Sequence, residues 1–377
     1  MGILGRTRAV VLAAAVAAAT CASAHVPAGA EGTSPGPGID RAIAGVQSRD
    51  LLPLTDALLL PKAGFGFADG MKLVQMSPED LEKQLEAVAL TDARWLRVPF
   101  NWSLIESTRG VYDWSQVDRV VDRARAHGLE VLANLAYAPT WARASRTTGT
   151  GPPRAGRTYG AFAGAATRHF AGRVEHFEIW NEPNFAKFFG GSATHAHAPE
   201  KYTRLLKKAS RAIRAESRQA VVVAGALAPG TDTDETYSMP TFVQRMYDAG
   251  ARRFFDAISL HPYTTTSPAS WDRVYGDVTE VRQLMRAHKN GRRKIWYTEF
   301  GHTSPLGGLS EVAQAAWVVK ELAAAAARPY VGPAFLYSIR DSGTDRTDYG
   351  QNFGTLLTYD FRPKALATVL SVVDLLP

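Results

Sequence analysis

The sequence predicts an α/β protein, a single (β/α)8 TIM barrel with no accessory domain. Two observations carry that expectation. From about residue 60 onward, short apolar runs alternate with longer helical patterns, an order that favours a parallel sheet. Eight such runs occur, each followed by a helical pattern, and barrels of this kind need about 250 residues and grow by loop insertion. The alternative of an open doubly wound sheet lacks its usual mark, because no glycine-rich phosphate loop follows the first run. With 377 residues, 46% of them hydrophobic, the chain has ample material for one large core.

The elements follow in order. Residues 1–24 read as a secretory signal peptide: Arg6 and Arg8 are basic, Val10 to Ala19 is apolar, and Ala22-Ser-Ala24 offers a small-residue cleavage site. Ala28-Gly-Ala30 is a second candidate site. Residues 25–59 read as a linker and N-terminal extension, rich in Ala, Gly, Pro and Ser up to residue 48. Residues 60–377 form the expected barrel. Its strands are placed at Ala63 to Ala68, Trp95 to Phe100, Glu130 to Tyr137, Val174 to Trp180, Ala220 to Leu227, Ala257 to His261, Lys294 to Glu299 and Ala334 to Ile339. The first helix, Pro78 to Leu90, has Ser77 as its N-cap and proline in the first helical position. Ser115 to His127 is ended by Gly128. Tyr159 to Phe170, Pro199 to Glu216, Met239 to Ala249, Ser270 to His288, Leu309 to Ala327 and Pro363 to Leu376 complete the series.

Composition narrows the function classes. The only cysteine, Cys21, lies in the leader, so the mature chain has no disulfide and no thiol chemistry. A lipoprotein anchor at Cys21 is disfavoured, because Ala18-Ala-Thr-Cys21 lacks the usual leucine. The apolar stretch of the leader is too short and alanine-rich for a good membrane span, and no later segment has spanning length. A secreted, extracellular monomer is expected. The net charge of +7 and pI near 9.4 are compatible with an acidic partner. No basic run carries interleaved aromatics, so solvated helix faces are the simpler explanation and nucleic acid is not expected as a partner.

In such a barrel, reactive groups come from the C-terminal ends of the strands. Polar and aromatic residues gather there: Arg97 and Asn101-Trp102 on the second, Asn134, Tyr137 and Trp141 on or after the third, Asn181-Glu182 on the fourth, His261-Pro-Tyr263 on the sixth, Glu299 and His302 on the seventh, and Tyr337, Arg340 and Asp341 on the eighth. Two glutamates closing two apolar runs suit acid-catalysed cleavage of a glycosidic bond. Rings at the rim suit sugars, whose C–H faces stack on them while hydroxyls hydrogen-bond to polar neighbours.

The stretch Glu178-Ile-Trp-Asn-Glu-Pro-Asn184, with Thr298-Glu-Phe-Gly301 and His261-Pro-Tyr263, resembles the retaining glycoside hydrolases of clan A, and most of all glycoside hydrolase family 39, the β-xylosidase and exopolysaccharide-hydrolase type. Leu96-Arg-Val-Pro-Phe-Asn-Trp102, Gly110-Val-Tyr-Asp-Trp114 and the late Asn352-Phe-Gly354 with Pro363-Lys364 support it. The resemblance spans about residues 60 to 377. It implies Glu182 as general acid and then base, Glu299 as nucleophile, Asn181 as holder of the sugar 2-hydroxyl, and Arg97 and Tyr263 as hydrogen-bond donors to Glu299. His261, Trp141, Tyr137, Trp102 and Tyr337 are the further candidates for substrate binding. No cofactor or metal is expected, and the partner is an oligo- or polysaccharide, in the first place a β-linked polysaccharide. A transglycosylase using the same residues and a non-catalytic carbohydrate-binding barrel are the alternatives.

Two departures from the family pattern stand out. Tyr337 occupies the place where many clan relatives have a tryptophan, and no β-sandwich domain is expected after the eighth helix, which favours an open cleft acting within a polymer. Glu178 shares strand parity with Glu182 and reads as a structural carboxylate that needs a cationic partner. Arg97 can either satisfy Glu178 or serve the nucleophile. His195 with His197, the group Asp232, Asp234 and Glu235, and the group Asp341, Asp345 and Asp348 are weak metal candidates.

Overall fold

The computed structural model describes residues 48–143 and 149–371, so the expected leader and most of the expected linker lie outside the described residues. Eight parallel strands close into a barrel in sequence order: β1 (Phe65–Ala68), β2 (Trp95–Asn101), β3 (Glu130–Ala136), β4 (His176–Ile179), β5 (Val221–Leu227), β6 (Ala257–Leu260), β7 (Lys294–Phe300) and β8 (Val331–Tyr337). The ring is sealed by β1 pairing with β8, Phe65 opposite Ala334 through Ala68 opposite Tyr337. All eight expected runs are strands, and the expected (β/α)8 fold is the observed one.

The helices begin where local chemistry supplies a cap. Ser77, Ser238, Ser267 and Ser310 each accept a hydrogen bond from the backbone N–H three residues on, and proline follows at the head of the first three helices. Pro78–Ala89, Met239–Asp248, Pro268–Ala287 and Glu311–Ala326 start at these caps. Their apolar sides meet the outward faces of the strands in one continuous core around Phe100, Phe162, Phe177, Tyr202, Phe242 and Val278. Inside the barrel a smaller cluster, with Leu132, Val223, Trp296 and Phe335, fills the end where the strands begin. Trp95 stands edge-on to His176, Trp296 and Phe335 and closes that end.

Most element ends differ from the expectation by one to three residues, and two differences bear on the fold. The segment read as linker and extension ends in a helix, Ser48–Ala57, whose buried Leu51 ties it to Glu311–Ala326 and Ala365–Ser371. The eighth strand, expected at Ala334 to Ile339, starts three residues early, at Val331, and runs through Gly332-Pro333 to Tyr337. Glycine is required there by packing: a Cβ on Gly332 would stand 2.6 Å from Trp296 Cδ1. Pro333 is tolerated because the register between β7 and β8 shifts at that point. The last helix is described from Ala365 to Ser371 only.

Candidate active site

The fourth and seventh strands aim their glutamates by irregularities that periodicity does not show. Between its pairings Tyr297–Ala334 and Phe300–Leu336, β7 advances three residues while β8 advances two. Glu299 lies in that bulge, which turns its side chain into the barrel mouth. β4 stops at Ile179, and the chain then passes through left-handed backbone at Trp180 (φ 72°) and Glu182 (φ 45°). Tyr137 and Ala226, at the ends of β3 and β5, are left-handed as well. Each such residue costs roughly 1–3 kcal/mol and persists only where its surroundings hold it. Here Trp180 N donates to Leu135 O at 2.9 Å, Glu182 N to Ala226 O at 2.9 Å, and Ala226 N to Ser259 Oγ at 2.7 Å.

Arg97 is the hub. Its Nε donates to Glu178 Oε2 at 2.6 Å, its Nη2 to Asn181 Oδ1 at 2.8 Å, and its Nη1 to Glu299 Oε1. The two expected roles of Arg97 are therefore one: a single guanidinium satisfies the fully buried Glu178 and binds Glu299. Asn134 Nδ2 completes the base of the site, donating to Glu178 Oε2 at 2.9 Å and to Trp180 O at 2.6 Å. With its oxygen taken by Arg97, Asn181 presents its amide N–H groups as donors.

The second Glu299 oxygen accepts from Tyr263 Oη at 3.0 Å. His261, fully buried, sets its Nδ1 2.9 Å from Glu182 Oε1 and 3.7 Å from Glu299 Oε2, between the two carboxylates. Burial by itself would raise the Glu299 carboxyl. The charges of His261 and Arg97, with the hydrogen bonds from Tyr263 and Arg97, outweigh it and hold this group below the usual carboxylate range. Glu182 has no arginine or lysine partner; its side chain meets His261 alone among the described residues. Burial and the negative charge of Glu299 push the hydroxyls of Tyr137, Tyr263 and Tyr337 upward, so all three are neutral donors.

One carboxylate oxygen from each glutamate and a His261 nitrogen lie within 4.8 Å of one another, the one group of potential metal ligands that converges among the described residues. Arg97 already sits on Glu299 and competes with a cation for it. The three weaker metal candidates are otherwise engaged. His195 is buried against Tyr237 while His197 is exposed. Asp232 accepts from Ser238 N and Thr241 Oγ1 at the head of Met239–Asp248, Asp348 accepts from Gly350 N, and Asp341 pairs with Lys364 at 3.3 Å.

The structure thus brings together Arg97, Asn181, Glu182, His261, Tyr263 and Glu299, with Tyr137 and Tyr337 beside them. Trp102 is a correction. Expected at the rim, it is fully buried, stacked on Phe162 with ring centres 5.3 Å apart, its Nε1 donating to Glu106 Oε2 at 2.6 Å. The chain turns into a short helix, Trp102–Ile105, directly after β2 and carries the indole under the rim. Trp141 stays half-buried above it, edge-on at 5.6 Å, with its Nε1 on Glu106 O. Asn134, placed at the rim but given no role, belongs to the site, and Phe353 was missed. Asn134 pairs in register with Glu178 across β3 and β4, and inward parity was its signal. Phe353 comes from a loop far along the chain and packs edge-on against Tyr337 and Tyr263, at 5.5 and 6.2 Å. A cavity of about 350 Å3 opens beside Tyr337, with Asp69, Lys72, Asp80, Gln84 and Arg340 in its wall.

Residues 62–332 match the model of the family described as cellulase (glycosyl hydrolase family 5). A comparison with curated proteins finds no match. Among solved structures, the chain is similar to a family 39 glycoside hydrolase from the gut symbiont Bacteroides cellulosilyticus WH2 (TM-score 0.65, 21% identity, 83% of this chain and 63% of that one). It is also similar to a monomeric beta-xylosidase from Caulobacter crescentus CB15 (0.63, 20%, 83% and 69%) and to a GH5_18 protein from Streptomyces cattleya in complex with GlcNAc (0.59, 16%, 84% and 80%). The chain spans less than two thirds of the first of these, and at such identities the likeness is one of fold. The expected clan A assignment is met, with the family 39 likeness present among the structural neighbours and the family model pointing to family 5. Eight parallel strands, a match over most of the chain and a glutamate at the mouth on both β4 and β7 agree: the chain belongs to the cellulase family, glycosyl hydrolase family 5.

Proposed function

We propose that the chain is a secreted retaining glycoside hydrolase that cleaves a β-linked polysaccharide by double displacement. The observation that carries this reading is the opposite treatment of two neighbouring carboxylates. Arg97 and Tyr263 bond Glu299 and help hold it charged, as a nucleophile requires, while Glu182 receives neither and shares with Glu299 only His261, which stands between them. Their oxygens lie within 4.8 Å, short of the roughly 6.5–9.5 Å separation that leaves room for an attacking water in inverting enzymes.

In the first step Glu182 gives its proton to the glycosidic oxygen as Glu299 attacks the anomeric carbon; the leaving group departs and a glycosyl ester forms on Glu299. In the second step Glu182 takes a proton from water, which attacks the same carbon and releases Glu299. Asn181, whose oxygen is held by Arg97, donates to the sugar 2-hydroxyl. Two carboxylates and water suffice, with no cofactor. The names of the family and of the β-xylosidase neighbour support a β-linked glycan. The leader pattern and the placement of the only cysteine within it support export.

The test pairs two variants with azide, which takes the face that a missing carboxylate vacates. On an activated β-glycoside, Glu182→Ala with azide should yield the β-glycosyl azide and Glu299→Ala the α-glycosyl azide. Swapped products, or near-normal turnover by Glu299→Gln, overturn the roles. A hydrolysis screen over β-glucans, xylans, mannans and galactans identifies the sugar, and product analysis at high acceptor concentration separates hydrolysis from transfer.

A further inference from the structure

The loops that lead into β6 and β7 lie on the face where the strands begin, opposite the catalytic mouth. They enclose an open cavity of about 400 Å3 walled by Arg252, Arg253, Lys289, Arg292 and Arg293. Five cations from two segments some 40 residues apart in sequence therefore meet around one space. Arg252, Arg253, Lys289 and Arg292 enter no ion pair among the described residues. The nearby carboxylate, Asp256, is held by Arg214 at 2.8 Å and by the N–H of Val222.

The two loops are braced against each other. Arg293 Nη1 and Asn290 Nδ2 both donate to Arg252 O, at 2.7 and 3.2 Å, and tie the two loops together. Arg282 braces the second loop, donating to Arg293 O at 2.9 Å and to Gly291 O at 2.5 Å. These bonds use backbone oxygens, so they hold the charges close without neutralising them. Burial, with the positive charges of Arg214 and Arg252, outweighs the opposing pull of Asp256 and Tyr247 and holds the Arg293 guanidinium below its ordinary range. Unpaired like charges gathered on a braced backbone are relieved by an anion, and guanidinium forks match planar oxyanions bidentately.

We propose that this basic cleft is a second binding site, for an acidic polysaccharide bearing carboxylate groups, on the face opposite the catalytic mouth. A polymer is indicated because the cavity is open and its cations are distributed around it. A carboxylated glycan is favoured over single-stranded nucleic acid, because no aromatic ring lines the cavity to stack a base. A chain held there would keep the mouth free to work on neighbouring glycan. The site stands whether or not the catalytic roles above are right.

The test uses the full chain carrying Glu299→Gln, so that no probe is consumed, and measures binding of polygalacturonate, neutral dextran and single-stranded DNA. Polygalacturonate should bind and dextran should not. Added salt should weaken the complex, and combined Arg252→Ala, Arg253→Ala and Arg292→Ala should lower the slope of log affinity against log salt by roughly two, one unit or less per lost contact. In the otherwise native chain the same three substitutions should leave hydrolysis of a small aryl glycoside unchanged. Melting temperatures check folding and should not fall, because like-charge repulsion is relieved. Unchanged polygalacturonate binding in the folded triple variant overturns the proposal, as does equal binding of dextran. Tighter binding of DNA than of polygalacturonate overturns the choice of ligand.

Discussion

Replacing Tyr263 by Phe removes one oxygen and little else. The ring contacts with His261, Tyr337 and Phe353 remain, at 6.3, 6.4 and 6.2 Å. What is lost is the 3.0 Å hydrogen bond from the neutral phenol to the Glu299 carboxylate. A hydrogen bond to a charged group contributes about 1.5–3 kcal/mol. If it steadies the charge that Glu299 must carry to attack, kcat/KM should fall by roughly ten- to a hundredfold at the optimum. The direction in pH follows from the same bond. Glu299 sits below the usual carboxylate range, so its contribution to stability is present above its unfolded pKa and is lost as pH falls through the folded value. Removing a donor to the charged form moves that folded value up. The acid limb of kcat/KM should therefore move to higher pH, and acid unfolding should begin at higher pH too. The assay is a pH profile on an activated glycoside alongside thermal melts at each pH. An acid limb that stays where it was, in a folded variant, would refute the reasoning that Tyr263 holds Glu299 ionised.

Trp102→Ala should cost about 3–5 kcal/mol of stability, because the indole fills a core site against Phe162, Tyr159 and Trp141; chemical denaturation measures it, and a KM that rises without loss of stability would return Trp102 to the cleft. Gly332→Ala puts a Cβ 2.6 Å from Trp296 in the plugged end of the barrel and should lower stability by roughly 1–3 kcal/mol, visible as a reduced melting temperature. Lys364→Met leaves buried Asp341 with only the looser 3.9 Å pair to Arg346 and should cost up to about 3–5 kcal/mol at neutral pH. Burial already raises the Asp341 carboxyl despite Lys364, so the cost should shrink in acid as Asp341 takes up a proton; a loss equal at both pH values would count against the buried carboxylate charge as its cause.

Much of this barrel is legible in one dimension because its causes are local. Apolar runs closed by polar residues mark the strands, and Ser77 marks a helix start that needs no distant partner; Ser267 and Ser310 cap in the same local way, though the expected starts lie at Ser270 and Leu309. Strand order follows from the alternation, and it puts Glu182 and Glu299 on one rim. The three-way reach of Arg97 was not legible, because it depends on Glu178, Asn181 and Glu299 arriving from two other strands at hydrogen-bond distance. Nor was the inward turn of Glu299, which comes from a register shift against β8 rather than from the period of β7. Trp102 looked like a rim residue by position, and one short helix carried it into the core. The same holds for the basic cleft: Lys289 with Arg292-Arg293-Lys294 makes a short basic run, but only closure of the barrel sets Arg252-Arg253 beside it. The barrel, the order of its elements and the glutamate pair can be read along the chain, since they rest on period and local bonding. Tertiary structure decided which groups touch Glu299, which aromatics face the cleft and where unpaired charge collects, because contact and desolvation exist only once distant strands and loops have met.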